Sequence, residues 1–194
     1  RALGAAICPD PGALCGTAGA LAVLYTTPGA TLSGNAHAFA DNSFENCTAD
    51  LVDGGSIGAN SGLTAGVAIL YYLPQASSGP QNNSHRFARN RFVGGTAAQR
   101  GSAVRLLLGS GERNNTASFA GNAFAGNTVA CSGRDQACPG GSVVIDGGNS
   151  SFSGDAFSGN VGNSGSAADL YVTASSGADL TLRGVTFNMS SIGV

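Results

Sequence analysis

Five copies of one short pattern, Phe-x-x-Asn-x-Phe, constrain this chain more than any other feature. They read Phe39-Ala-Asp-Asn42-Ser-Phe44, Phe87-Ala-Arg-Asn90-Arg-Phe92, Phe119-Ala-Gly-Asn122-Ala-Phe124, Phe152-Ser-Gly-Asp155-Ala-Phe157 and a degenerate Leu182-Arg-Gly-Val185-Thr-Phe187. The copies begin at residues 39, 87, 119, 152 and 182, so the steps are 48, 32, 33 and 30 residues. Self-similarity at such a period marks a repeat architecture and has to be settled before any local reading. Leu32-Ser-Gly-Asn35-Ala-His37 reads as a truncated copy ahead of the first.

Before each copy runs an apolar segment opening with Gly and a small residue, at 19–25, 66–73, 101–108, 141–145 and 165–172. Their β-branched and aromatic content favours strands, and no capped amphipathic helix is found. A unit of about 30 residues with two or three short strands cannot bury its own apolar face, but it can when stacked on its neighbours. Strands that recur one coil later then pair in parallel. The expected fold is therefore all-β, a parallel β-helix solenoid with coils of about 30 residues and loop insertions, the longest at 45–65. In such a stack Phe39, Phe44, Phe87, Phe92, Phe119, Phe124, Phe152 and Phe157 pile on one another. Asn42, Asn90, Asn122 and Asp155 form a ladder whose side chains satisfy backbone groups at one bend. A β-sandwich is the competing architecture, although sandwiches seldom repeat one aromatic/Asn signature.

Charged residues make up 10% of the chain, against roughly 25% in ordinary soluble domains. Lys is absent and the net charge is −2, so no basic patch invites nucleic acid or anionic lipid. The longest apolar run, 65–74, falls short of the roughly 20 residues a spanning helix needs, so no direct membrane insertion is expected. Disorder is the plain reading of so much Gly, Ser, Thr and Asn. The hydrophobic content of 42%, gathered into evenly spaced runs, argues against it. Residues 1–194 are read as one segment of a longer protein, with coils continuing before residue 1.

Cys8 and Cys15 enclose six residues, as do Cys131 and Cys138, and each pair shortly precedes a Gly-opened strand. Disulfide staples in an oxidising compartment are the favoured reading. A zinc site would want closer spacing and His partners, and a redox centre Cys-x-x-Cys. Cys47 is left over, either paired outside this chain or buried and free. Asn46, Asn82, Asn114, Asn149 and Asn188 open Asn-x-Ser/Thr acceptor patterns for N-linked glycans, which agree with secretion to the cell exterior. Asn82, Asn114 and Asn149 are expected in one equivalent turn, where glycans would line one edge of the stack.

Phe-x-x-Asn units alternating with Gly-(Gly/Ser)-x-aliphatic strands resemble the repeats of the polymorphic outer membrane proteins. The matching pieces are Phe87–Asn90 with 101–104, Phe119–Asn122 with 140–144, and Phe39–Asn42, over roughly 32–187. Asp155, a single Gly at 101 and 165, and the 45–65 insertion depart from that pattern. The resemblance implies a right-handed, pectin-lyase-like β-helix and an adhesive or structural role outside the cell.

Related folds include polysaccharide lyases and hydrolases, which need clustered carboxylates. Only 41–53 is dense in acids, and Glu45, Asn46, Asp50 and Asp53 are the one candidate calcium set, with a solvated loop as the alternative. Arg86, Arg89, Arg91 and Arg100 form a basic cluster read as an outward face or partner contact. His37 and His85 are expected at equivalent corners. No nucleophile–base set follows from spacing, so neither catalytic residues, metal nor cofactor is assigned. The expectation is a non-enzymatic structural or adhesive segment of a secreted or surface glycoprotein, in a filament, appendage or matrix. Its partners would be neighbouring domains or copies of the same parent protein, besides the glycans. A carbohydrate-binding or polysaccharide-degrading module is the alternative, and an ice-binding surface the second. Thr48, Thr96 and Thr128 are sparse for ice binding. Tyr71, Tyr72 and Tyr171 fall in expected strands rather than on a sugar platform.

Overall fold

The computed structural model describes residues 3–4, 17–18, 20–25, 33–49, 63–64, 66–71, 81–97, 101–109, 114–130, 140–162, 167–173 and 178–192. Cys8, Cys15, Cys131, Cys138, Asp50, Asp53, Tyr72 and Arg100 lie outside these residues.

The described strands form four main sheets, and every pairing among them is parallel. Sheet I contains Leu21–Tyr25, Val67–Tyr71, Val104–Gly109, Val143–Gly147 and Leu170–Thr173. Sheet II contains Ala36–Ala40, Ser84–Ala88, Thr116–Ala120, Asn149–Ser153 and Leu180–Arg183. Sheet III contains Ser43–Glu45, Arg91–Val93, Ala123–Ala125, Ala156–Ser158 and Thr186–Asn188. Sheet IV contains Leu3–Gly4, Thr48–Ala49, Thr96–Ala97, Thr128–Val129, Val161–Gly162 and Ser191–Ile192. Thr17–Ala18 and Leu63–Thr64 make a minor two-stranded sheet. The chain visits I, II, III and IV in that order, then returns to I one layer on. The result is all-β and stacked, consistent with a β-helix solenoid.

Sequence reasoning assigned each unit two strand-forming pieces. The structure cuts the Phe-x-x-Asn-x-Phe piece in two at the Asn and adds a two-residue strand after it, giving four strands per layer. The cut has a backbone cause. Asp41, Arg89, Gly121, Gly154 and Gly184, each just before the ladder position, take φ values of 58°, 52°, 65°, 65° and 59°. Such a left-handed residue turns the strand abruptly and favours Gly. Asp41 and Arg89 adopt it without Gly and lie one above the other, with Arg89 Nε and Nη2 donating to the Asp41 carboxylate at 2.7 and 2.6 Å. The pair is exposed, so it adds little stability.

The core lies between the sheets. All nine phenylalanines of the chain fall in two columns. Phe39, Phe87, Phe119 and Phe152 stack with centroids 5.0, 4.8 and 4.5 Å apart, and Leu182 continues the register. Phe44, Phe92, Phe124, Phe157 and Phe187 stack at 4.8, 5.1, 4.7 and 5.1 Å. These separations follow the spacing of parallel strands, about 4.8 Å. Val104, Leu106, Leu108, Val143 and Ile145 of sheet I close the core.

Candidate functional site

Three corner ladders are the chemically distinctive part of the structure. The expected one is present between sheets II and III. The backbone N–H and Nδ2 of Asn42 donate to Asn90 Oδ1, both at 3.0 Å. Those of Asn90 donate to Asn122 Oδ1 at 2.8 and 3.0 Å, and those of Asn122 to Asp155 Oδ1, both at 2.8 Å. The two inner amides also reach a main-chain carbonyl in the preceding layer, Asn90 Nδ2 that of Phe39 and Asn122 Nδ2 that of Phe87, whereas Asn42 Nδ2 turns back to the Ala40 carbonyl. A side chain with both donor and acceptor is needed for this double duty, which is why Asn recurs.

Two further ladders escaped the sequence reading. Asn35, Asn83 and Asn115 repeat the arrangement ahead of sheet II, ending where Asn115 Nδ2 donates to the Leu108 carbonyl at 2.7 Å. Asn35 is therefore not a truncated copy of the Asn42 position but the start of its own column. Between sheets III and IV, the Gly95 N–H donates to Asn127 Oδ1, and Asn127 N–H and Nδ2 donate to Asn160 Oδ1. Asn160 Nδ2 and Ser190 Oγ both donate to Asp169 Oδ1, at 2.8 and 2.7 Å. The signal was available in fixed offsets, since 35, 83 and 115 each precede a ladder residue by seven, and 127 and 160 follow one by five.

Asp155 is the exception in the central ladder. It is fully buried, and burial pushes its carboxyl above the usual 3.8 despite hydrogen bonds from Asn122 and Ser153. The folded state thus holds this proton more tightly than the unfolded chain, so the stability that Asp155 contributes below 3.8 is lost as pH rises through its raised folded value. A carboxylate also lacks the donor with which other rungs reach a Phe carbonyl. Asp155→Asn is expected to stabilise the protein by about 1–2 kcal/mol at pH 7, with the gain shrinking on acidification. Urea unfolding of both chains at pH 7 and pH 4 measures it, and an unchanged or lowered midpoint at pH 7 would refute this account.

His37 and His85 do not occupy corners. They lie within the strands Ala36–Ala40 and Ser84–Ala88, in direct register. Their rings stack with centroids 5.1 Å apart and Nδ1 atoms 3.1 Å apart. His85 is fully buried. Burial first, and the neighbouring His37 second, draw its imidazole from 6.5 down to about 4; burial also lowers His37. The unfolded chain therefore binds protons more readily between these values. The stability that His85 contributes is full above pH 6.5 and declines as pH falls towards 4. The His85 share of that decline is about 3 kcal/mol at most, and His85→Leu should flatten that part of the urea-midpoint profile. Profiles that coincide for the two chains would contradict it.

The acceptor patterns distribute unevenly. Asn82 and Asn114 are exposed, equivalent turn residues, both with φ of 55°. Asn149 does not share their turn. It opens a strand opposite Thr116, half-buried, and its Oδ1 accepts the Asp179 N–H at 3.0 Å. Asn46 and Asn188 are exposed.

Glu45, Asn46, Thr48 and Gly94 line an open recess of about 530 Å³. Glu45 is already engaged, accepting from Arg91 Nη1 and Ser43 Oγ, both at 2.9 Å. Among the described residues no three His, Cys, Asp or Glu side chains converge as metal ligands. Arg86 is exposed on sheet II. Arg89 and Arg91, the other described members of the basic cluster, are tied to Asp41 and Glu45. Cys47 is half-buried and free, its thiol pushed up by burial. Thr48, Thr96 and Thr128 are in register, but Val161 follows at the same place. Sheet I carries a polar group that the sequence did not disclose. Arg105 Nη2, on a buried side chain, stands 3.8 Å from Asp146 Oδ2, and Thr173 Oγ1 donates to Asp146 Oδ1 at 2.8 Å.

No family model, curated protein or solved structure matches this chain. The resemblance to polymorphic outer membrane protein repeats thus rests on the short motifs themselves.

Proposed function

We propose that this chain is a stretch of right-handed parallel β-helix with coils of about 30 residues plus insertions, serving as a stiff, non-enzymatic structural or adhesive part of a large secreted or cell-surface glycoprotein. The observation that carries this reading is the recurrence of Phe stacks and Asn ladders from layer to layer. Repeating one geometry from layer to layer supports a stiff stack. Two of the carboxylates that a sugar-cleaving site would need, Asp41 and Glu45, are tied to Arg side chains. Glycans on exposed Asn82 and Asn114 would keep such a stack soluble and leave its other faces for contact.

The test is expression of the 194-residue chain through a eukaryotic secretory pathway, followed by glycopeptide mass spectrometry and electron microscopy. Glycans on Asn82 or Asn114 and elongated particles are expected. A secreted chain with every acceptor Asn unmodified, or a particle without elongation, would overturn the reading.

A further inference from the structure

Two of the glycan acceptor patterns stand in direct register, one layer apart. Ser84 pairs with Thr116, so Asn82-Asn83-Ser84 and Asn114-Asn115-Thr116 repeat residue for residue. Asn82 and Asn114 share the left-handed turn conformation, and both are exposed, as are Ser84 and Thr116. The middle residues, Asn83 and Asn115, are buried in the ladder ahead of sheet II. That ladder holds the two acceptor amides side by side, and Asn114 Nδ2 donates to Asn82 Oδ1 at 3.4 Å. The layers on either side turn with left-handed glycines at this corner, Gly34 before and Gly148 after, which adds no side chain beside the pair. No other two acceptors are placed in this way among the described residues. Asn46 lies against Gly94, Asn149 pairs with Thr116, and Asn188 pairs with Ser158.

An N-linked glycan replaces one hydrogen of the Asn Nδ2 and leaves the other. The hydrogen that stays is the one opposed to the carbonyl, as in a peptide bond, and it is the one that donates along an amide stack. Glycosylation of both residues therefore keeps the rung between Asn114 and Asn82. Each glycan opens with N-acetylglucosamine, whose acetamido group is itself a peptide-like amide. Anchored one layer apart, about 4.8 Å, these acetamido groups stand at the separation at which neighbouring strands hydrogen-bond. We propose that the glycans on Asn82 and Asn114 stack in register, acetamide on acetamide, and extend the Asn ladder outward as a short ladder of sugars. This rests on the glycoprotein reading above and deepens it, making the two glycans one ordered ridge on the corner between sheets I and II.

The test uses the 194-residue chain secreted by cells that make uniform high-mannose glycans, with isotope-labelled acetyl groups and circular dichroism to verify folding. Both sites are expected to be occupied on the same molecule, with nuclear Overhauser contacts between the acetyl groups of the two glycans. Endoglycosidase H, which cuts between the innermost sugars, should trim folded wild type about tenfold more slowly than Ser84→Ala or Thr116→Ala. Each of those exposed substitutions removes one acceptor pattern and leaves Asn82 and Asn114 in place. After heat unfolding the three chains should be trimmed alike. Molecules that carry a glycan at only one of the two sites, or equal trimming of the folded chains, would overturn the stacking. So would slow trimming without acetyl contacts, which marks mere crowding. Chains bare at both sites would remove the glycoprotein reading and the sugar ladder together, whereas paired glycans that do not touch remove the ladder alone.

Discussion

Asn122→Ala should destabilise the chain by about 4 kcal/mol, chiefly through groups that the mutation leaves behind. Asn122 is buried. Its Oδ1 accepts both the N–H and Nδ2 of Asn90, while its Nδ2 serves the Phe87 carbonyl and Asp155 Oδ1. Alanine removes all four bonds, leaves the Asn90 N–H buried without its acceptor and the Phe87 carbonyl without its Asn donor, and leaves Asn90 Nδ2 only the Phe39 carbonyl. Each such orphan costs about 1–3 kcal/mol, more than a hydrogen bond contributes net. Asn122→Asp separates geometry from charge. It keeps the shape and the acceptor but turns the 2.8 Å contact with Asp155 into carboxylate on carboxylate, which cannot both ionise. That variant should be as damaging as alanine at pH 7 and recover on acidification, when a shared proton restores the rung. Equilibrium unfolding at pH 7 and pH 4 distinguishes the cases. An Asn122→Ala loss below about 1 kcal/mol would mean that the ladder is ornamental.

Much of this arrangement was legible because the repeat is written in residues with few alternatives. Phe fixes a core column, and an Asn three places later fixes a corner, so the position of both Phe columns and the central ladder followed from spacing alone. The other two ladders were missed because their neighbours are less distinctive. Asn83 and Asn115 follow another Asn, and Asn127 and Asn160 follow Gly, so they read as loop. Left-handed backbone at Asp41 and Arg89 was also illegible, since neither residue announces it. The histidines were misplaced for a simpler reason. His is polar enough to suggest a corner, whereas the strand alternation turns His85 and Phe87 to the same inner face. Arg105 shows the reverse failure. It stands in a run of apolar residues, yet its long charged side chain is buried.

Phe124→Ala sets the weight of the aromatic stack against that of the ladder. Phe124 is fully buried, lies 5.1 Å from Phe92 and 4.7 Å from Phe157, and meets Phe119 at a tilt of 57° and 6.5 Å. Truncation deletes one member of a five-ring column, leaving a gap the size of a ring between two layers. Phe→Ala in a core costs about 3–5 kcal/mol, depending on how far the site can collapse. Collapse is restricted here, because the parallel backbone holds adjacent layers about 4.8 Å apart whatever the side chain. The loss should therefore lie near the upper end, about 4–5 kcal/mol. Phe124→Leu should recover more than half of it, as Leu182 occupies the end of the other column in the same register. The Asn127 bond to Phe92 O and the Asn160 bond to Phe124 O use main-chain oxygens, so truncating the ring leaves both acceptors in place. Amide exchange at Asn127 and Asn160 in a Phe124→Ala chain should consequently rise only as far as global stability falls. A selective loss of protection at those two corners would instead show that the ring holds the ladder in place, and that the stack and the ladder are one cooperative unit.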